Sequence, residues 1–365
     1  MFGFFAGAWA VSAIDVERTF GLSDLELGLL LAAGIVAATG VAAIGGALTD
    51  RLGARAALTR GLLAWAALLV VAGLAPGLGL FVVAFPLALA AGGLIDVVMN
   101  IVAADALAHE PGMLVRFHGL WNGGAVIGAL GAGVVIRLGA SWRAVWIAIA
   151  ASAFVTALYV WRAHVPQPPR RDHPSMWRAV IGLRHEGLTV LAIVFAASAM
   201  VEGGIATWGV LYLRSHLELG VLVGVTAYVV GEVLATIARI GGGGIAGALG
   251  SRRAVALGAT LAAGGIALEA VSGRSGPAAA GLAAAAVGIS VVWPLLIADV
   301  NNEAEHAALA IGGVTACGYL GMVAGPPLVG LISGAFGLEA GLLVLAGVAL
   351  FVALTPAHVR PRTRV

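Results

Sequence analysis

Lysine is absent from the chain: all 20 basic residues are arginine. A Walker-A loop needs its lysine, so the chain is not itself a P-loop ATPase. A retinal or pyridoxal Schiff base is excluded for the same reason. Charge of either sign is scarce. Only 10% of the 365 residues are charged, against about 25% in soluble domains. The net charge of +2 is arginine in loops, and no basic face suits nucleic acid. The single cysteine, Cys317, lies in an apolar run. It cannot form an intramolecular disulfide and is expected to be a small packing residue. No Cys/His cluster has zinc spacing. No nucleophile–base pair, metal motif or nucleotide loop is visible, so neither an enzyme nor a cofactor is expected. What remains is apolar: 61% hydrophobic residues, with a mean hydropathy of +1.04. Apolar runs of about 20 residues recur, the length that crosses a bilayer as a helix. Alternating barrel strands of about 10 residues do not fit these unbroken runs. The fold class is an all-α integral membrane protein.

The runs fall at 1–13, 25–48, 56–74, 78–104, 117–137, 142–162, 187–212, 220–246, 254–272, 277–299, 308–335 and 339–357, which predicts twelve helices. The only long hydrophilic connection is 163–186, with PQPPRRDHP at its heart. It separates an N-terminal six-helix bundle, 1–162, from a C-terminal one, 187–365. Arginine placement orients the chain. Loops 49–60, 105–116, 163–186 and 247–253, with Arg162 and the tail 358–365, hold 14 arginines; the opposite side holds five (Arg18, Arg137, Arg143, Arg214, Arg274). The first group, and with it the C-terminus, is expected to be cytoplasmic in a bacterial inner membrane. The first run would span only about 20 Å as a helix, against roughly 30 Å of hydrocarbon. It reads either as a truncated first helix or as a short one held by its neighbours. No basic segment precedes it, so a signal peptide is not expected.

The halves repeat. GGALTDRLGAR at 45–55 aligns with GGGIAGALGSR at 242–252, pairing Gly53 with Gly250 and Arg55 with Arg252. Parallel repeats of this kind are related by an axis along the membrane normal. Within the first copy, GALTDRLGAR resembles the signature loop between helices 2 and 3 of the major facilitator superfamily. The resemblance covers almost the whole chain. It implies a cytoplasmic gating latch made of Gly46, Asp50, Arg51, Gly53 and Arg55. Gly46 would allow close helix approach, Gly53 a tight turn, and the arginines bidentate contact with carboxylates. The second copy has Gly247 and Ala248 in place of the Asp-Arg pair, so the latch should be asymmetric. IDVVMN at 95–100, FHGLWNGGAVIGALGAG at 117–133, EGGIATWGVLYL at 202–213 and GYLGMVAGPPLVG at 318–330 resemble the MosC/YbjJ-like bacterial branch of inner-membrane transporters. That branch commonly has an acid before the tryptophan of the seventh helix, where Thr207 stands here.

Polar groups inside apolar helices cost at least about 2.5–3.5 kcal/mol when charged and usually face a bundle interior or water. Asp96 and Asn100 share a face of the fourth helix at i, i+4. His118 and Asn122 do so on the fifth, beside Trp121. These pairs read either as a protonatable cluster or as a polar clamp between helices, with the clamp favoured for His118. Glu202 and Trp208 on the seventh helix suit a polar or sugar-like ligand. Glu232 and Arg239, at i and i+7 on the eighth, share a face; Arg239 could pair with another helix's carboxylate or meet an anionic ligand. Trp293-Pro294 interrupts the tenth helix, as a hinge or a plain kink. Tyr319 could line a cavity or pack. Glu269 is expected to be solvated near a helix end. Glycine-spaced runs on helices 5 and 11 are expected to let helices pack closely.

The expectation is therefore a secondary active transporter working by alternating access, with Asp96 and Glu202 as proton-coupling candidates. Asn100, Trp121, Asn122, Trp208, Glu232, Arg239 and Trp293 are its substrate-cavity candidates. The expected partners are a small solute, protons and the lipid bilayer, with the protein a monomer. An exporter of the same fold and a non-transporting receptor or scaffold are the alternatives.

Overall fold

The computed structural model describes residues 1–107, 111–169, 176–217, 220–304 and 306–355. Among them there are only helices and short connections. The order is α1 (Phe2–Phe20), α2 (Asp24–Leu52), α3 (Ala54–Gly73), α4 (Leu78–Ala106), α5 (Pro111–Arg137) and α6 (Trp142–Arg162), then α7 (Met176–His185). Next come α8 (Thr189–Gly204), a π-turn (Ile205–Gly209), α9 (Val210–Ser215), α10 (Val221–Leu249) and α11 (Ser251–Val271). The chain closes with α12 (Ser275–Ser290), α13 (Val292–Glu303), α14 (Ala307–Phe336) and α15 (Leu338–Leu354). Among the described residues, ten helical stretches are long and apolar enough to cross a membrane, with α15 a shorter apolar helix. Two of the ten are composite: α8, the π-turn and α9 make one, α12 with α13 the other.

Two elements differ from the expected spans. α1 does not stop where its apolar run ends but continues through Asp15, Glu17 and Arg18 to a left-handed Gly21. Its 19 residues reach about 28 Å at 1.5 Å per residue. Only the unbroken apolar run is short; backbone hydrogen bonds carry the helix on through the charged residues to Phe20. The connection at 163–186 contains a helix, α7, whose Ala179 and Leu183 are buried while Arg178, Ile181 and Arg184 face out. Spacing i, i+4 puts the two buried residues on one stripe. Gly313 of α14 lies against the Ala179 backbone.

The chain forms two compact units: Met1–Leu22 with Ala33–His173, and Ser23–Ala32 with Pro174–Val365. The internal repeat is visible in their backbones. Gly53 ends α2 with φ 83 and ψ 145; Gly250 ends α10 with φ 84 and ψ 145. Positive φ of this kind strains any side chain but glycine's. Close packing repeats too. In the first unit Gly124 and Gly128 of α5 seat against Phe4 of α1, and in the second Gly321 and Gly325 of α14 seat against Ala196 and Met200 of α8. These are the glycine runs expected to pack closely.

The first unit has an aromatic core. Trp9 stacks on Phe85 at 4.9 Å, Phe85 on Trp146 at 5.6 Å, and Trp142 meets Trp146 edge-on at 4.9 Å. Phe2, Phe5 and Trp9 supply the α1 side at helical spacing, with Phe2 and Phe5 both against Trp65. The second unit relies on glycine instead. Gly258 and Gly265 of α11 face Gly288 and Gly281 of α12, each pair in reciprocal backbone contact.

Candidate functional site

Proline at position 294 fixes the local chemistry of the tenth membrane segment. Proline has no amide hydrogen, so a carbonyl four residues earlier loses its helical donor. That carbonyl belongs to Ser290, where α12 ends, and Pro294 stands in the first turn of α13. The guanidinium of Arg239 takes the donor's place: its Nε donates to the Ser290 carbonyl at 3.1 Å. Its Nη2 donates to Glu202 Oε1 at 2.8 Å. Arg239 comes from α10 and Glu202 from α8, so one side chain ties three membrane segments together. Glu232, two turns before Arg239 on α10, lies within electrostatic reach of both Arg239 and Glu202. The side chains of Arg239 and Glu202 keep 36% and 32% of their surface exposed. The cluster is therefore only part-buried.

With Glu202 and Glu232 ionised, two negative charges meet one positive charge. One added cation or proton would make the cluster neutral. The planar fork of Arg239 is only partly used, leaving donors for a further acceptor.

Trp293 neighbours this break. Its ring meets Phe195 of α8 at 4.2 Å, and Gly318 of α14 provides the space for both rings. It is half-buried. Trp208, expected to line a cavity, is instead fully buried in the second unit, and its Nε1 has no hydrogen-bond partner. The π-turn that contains it changes the angular step per residue, so a helical wheel drawn from Glu202 does not carry through to Trp208. Thr207, also in the π-turn, is buried.

In the first unit Asp96 and Asn100 are half-buried on α4, Asn122 is buried on α5, and Trp121 is 41% exposed. Asp96 and Asn122 each have interaction partners. The His118 side chain lies outside the described residues. A groove of about 440 Å³ runs along α1, α5 and α6, past Phe4, Ala132, Val145 and Thr156. None of the candidate polar residues lines it.

The signature loop is helical up to Leu52, with Gly46 buried, Asp50 half-buried and Arg51 and Arg55 exposed. Past Gly53, the amide of Ala54 donates to Gln167 Oε1 at 2.7 Å. The linker thus caps the start of α3, satisfying one of the amides that a helix N-terminus leaves open.

Glu269 departs from expectation. Far from being solvated, it is completely buried, and both carboxyl oxygens lack hydrogen-bond partners. The sequence held a signal for this: Glu269 lies four residues after Gly265 and eleven after Gly258, on the same face as the glycine seam. The freed carbonyl of Ser290, four residues before Pro294, was equally legible, although its pairing with Arg239 was not.

A family model described as Major Facilitator Superfamily matches residues 1–312. The chain belongs to the Major Facilitator Superfamily. Among curated relatives, membrane protein MosC of Rhizobium meliloti is 28% identical over 357 residues, 96% of this chain and 86% of that protein. An uncharacterised MFS-type transporter of Yersinia pestis is 27% identical over 340 residues, covering 89% of this chain and 84% of its own. Solved structures share the fold. A point mutant of the nucleoside transporter NupG superposes with a TM-score of 0.78 at 14% identity, covering 96% of both chains. A D-xylose-proton symporter gives 0.75 at 15% identity, covering 97% of this chain and 93% of that one. The protein is thus a multi-pass membrane transporter of this superfamily.

Proposed function

We propose that the protein is a proton-coupled secondary transporter that moves a small polar solute, sugar- or polyol-like or nucleoside-like, by alternating access. The carrying observation is the cluster Glu202–Arg239–Glu232, pinned to the Ser290 carbonyl. Its charge count supports a one-proton cycle, because two acids and one base differ from neutrality by one proton. Hydroxyl-rich solutes suit it, since they both donate to carboxylates and accept from a guanidinium. The similarity to transporters of nucleosides and D-xylose favours the same solute class. Asp96 is the matching acid of the first unit, with Asn100 and Asn122 as its polar surroundings. His118, Trp121 and Trp293 complete the candidate set. The gating role of Gly46, Asp50, Arg51, Gly53 and Arg55 belongs to the same proposal, as does a cytoplasmic C-terminus.

The test uses proteoliposomes with an imposed pH gradient and a panel of radiolabelled pentoses, polyols and nucleosides. Accumulation of one class that collapses with the gradient is expected. Glu202→Gln should abolish accumulation while leaving exchange of solute. Solute movement indifferent to the gradient, in wild type and in Asp96→Asn and Glu202→Gln alike, would remove the proton from the mechanism.

A further inference from the structure

Glu269 has no role in the cluster described above, yet it is the most unusual ionisable group in the second unit. Its side chain is completely buried, and neither oxygen has a hydrogen-bond partner. Buried carboxylates are ordinarily paired or hydrogen-bonded, because an isolated ionised one bears the whole cost of lost hydration. The site is also shaped around the carboxyl group. A Cβ on Gly209 would lie 3.0 Å from Oε1 and 3.3 Å from Oε2, so glycine at the end of the π-turn leaves room for both oxygens. On the other side Gly281 of α12 sits against the Glu269 backbone. The residue before Gly209 is Trp208, whose indole Nε1 is likewise buried with no partner. An unused acceptor pair thus lies against the last residue of the π-turn, and an unused donor belongs to the residue before it. Such turns depart from the α-helix by one hydrogen-bond register and recur at functional positions.

We propose that Glu269 is a proton-binding site of the second unit, and that release of its proton is coupled to repacking of the π-turn at Ile205–Gly209. With the proton on, the carboxyl group is neutral and fits against Gly209 without a charge to satisfy. When the O–H bond breaks and the proton passes to water, the carboxylate requires a donor. Trp208 Nε1 supplies it only if the π-turn rewinds, so proton loss and helix rearrangement become one event.

Other ionisable groups around α11 do not take this role. The π-turn and α12 carry none. Asp299 of α13 bonds Ser251 at the opposite end of α11, at 2.8 Å. Glu232 and Arg239 of α10 belong to the Glu202 cluster, and Tyr228 of α10 feels Glu232. Arg214 of α9 lays its stem under Gly224 of α10. Tyr212 of α9 is within electrostatic reach of Glu269 and of Glu339 on α15, but its hydroxyl already donates to the Ala270 carbonyl at 3.1 Å. The proposal does not rest on the transport reading, and its test needs no solute.

The full-length protein in lipid nanodiscs is examined by infrared difference spectroscopy between acidic and alkaline buffer. Wild type should show the carbonyl band of a carboxylic acid without hydrogen bonds, and Glu269→Gln should lose it. Amide protection across 205–209, measured relative to the intrinsic base-catalysed exchange rate at each pH, should fall at alkaline pH in wild type and stay flat in the variant. Superimposable spectra for the two proteins, or an equal fall in protection, would overturn the proposal. Should Glu269→Gln not fold, Gly209→Ala keeps the acid and crowds it; the same band should then shift. An unshifted band in folded Gly209→Ala also overturns it.

Discussion

Pro294 sets what Arg239 can reach. Removing one amide frees the Ser290 carbonyl, and a guanidinium on another helix fills the vacancy. Pro294→Ala returns a competing donor to that carbonyl. The variant should be slightly more stable in a detergent thermal-shift assay, by less than the ~3 kcal/mol that proline costs in a helix interior, because Pro294 stands in the first turn of α13. Transport should nevertheless fall, by about tenfold if Arg239 loses one fixed hydrogen bond worth ~1.4 kcal/mol of orientation. Equal stability and equal transport would separate the proline from the arginine. Arg239→Leu should be worse, because it leaves Glu202 and Glu232 facing each other uncompensated. The expected loss of stability is smaller than the ~3–5 kcal/mol of a broken fully buried pair, since about a third of each side chain is exposed. The exchange Glu202→Arg with Arg239→Glu should recover expression and thermal stability but not transport. The swap removes the Ser290 contact while keeping the net charge.

At the scale of elements, glycine decides which helices touch. Gly258 and Gly265 are seven residues apart on α11, as are Gly281 and Gly288 on α12, and they meet backbone to backbone. A side chain at either end of this seam has nowhere to go. Gly265→Val or Gly288→Val should lower the detergent melting temperature and the yield of folded protein, with overpacking costs of about 1–3 kcal/mol or more. Gly264→Val, one residue away and facing open space, should be close to neutral. The same seam brings Glu269 inward. A helical wheel on α11 would have placed Glu269 on the glycine face, whereas its nearness to the helix end suggested water. Position along the helix was the weaker guide, because Gly281 of α12 and Gly209 of the π-turn close on Glu269 at that end. The π-turn itself has no signature in IATWG that periodicity can detect. Its extra residue per turn is a packing outcome, and Trp208 is where the prediction failed as a result.

At the scale of the molecule, duplication shows in matched backbone angles more clearly than in matched residues. Gly53 and Gly250 agree within a degree in φ and share the same ψ, although Gly247 and Ala248 have replaced the acid and arginine of the first copy. Geometry is retained where the turn demands a positive φ, and the Asp-Arg pair is retained only in one half, while Arg252 still matches Arg55. Asp50→Ala should therefore impair transport strongly, while Ala248→Ser should have little effect in the same vesicle assay. The arginine bias predicts that a C-terminal tag is cut by protease in inside-out vesicles and protected in right-side-out ones.

Sequence alone determined the solvent, the number of apolar runs, the duplicated halves and the signature loop, because composition and run length respond directly to the bilayer. It also named Glu202, Glu232 and Arg239 as unusual, because charge in an apolar helix is visible without a structure. Tertiary structure decided which of them meet. The Arg239–Glu202 pair and its anchor on Ser290 join three segments far apart in sequence, and their mutual approach depends on helix packing and the Pro294 break. The burial of Glu269 and Trp208 was decided the same way, by side-chain volume and helix register around a π-turn.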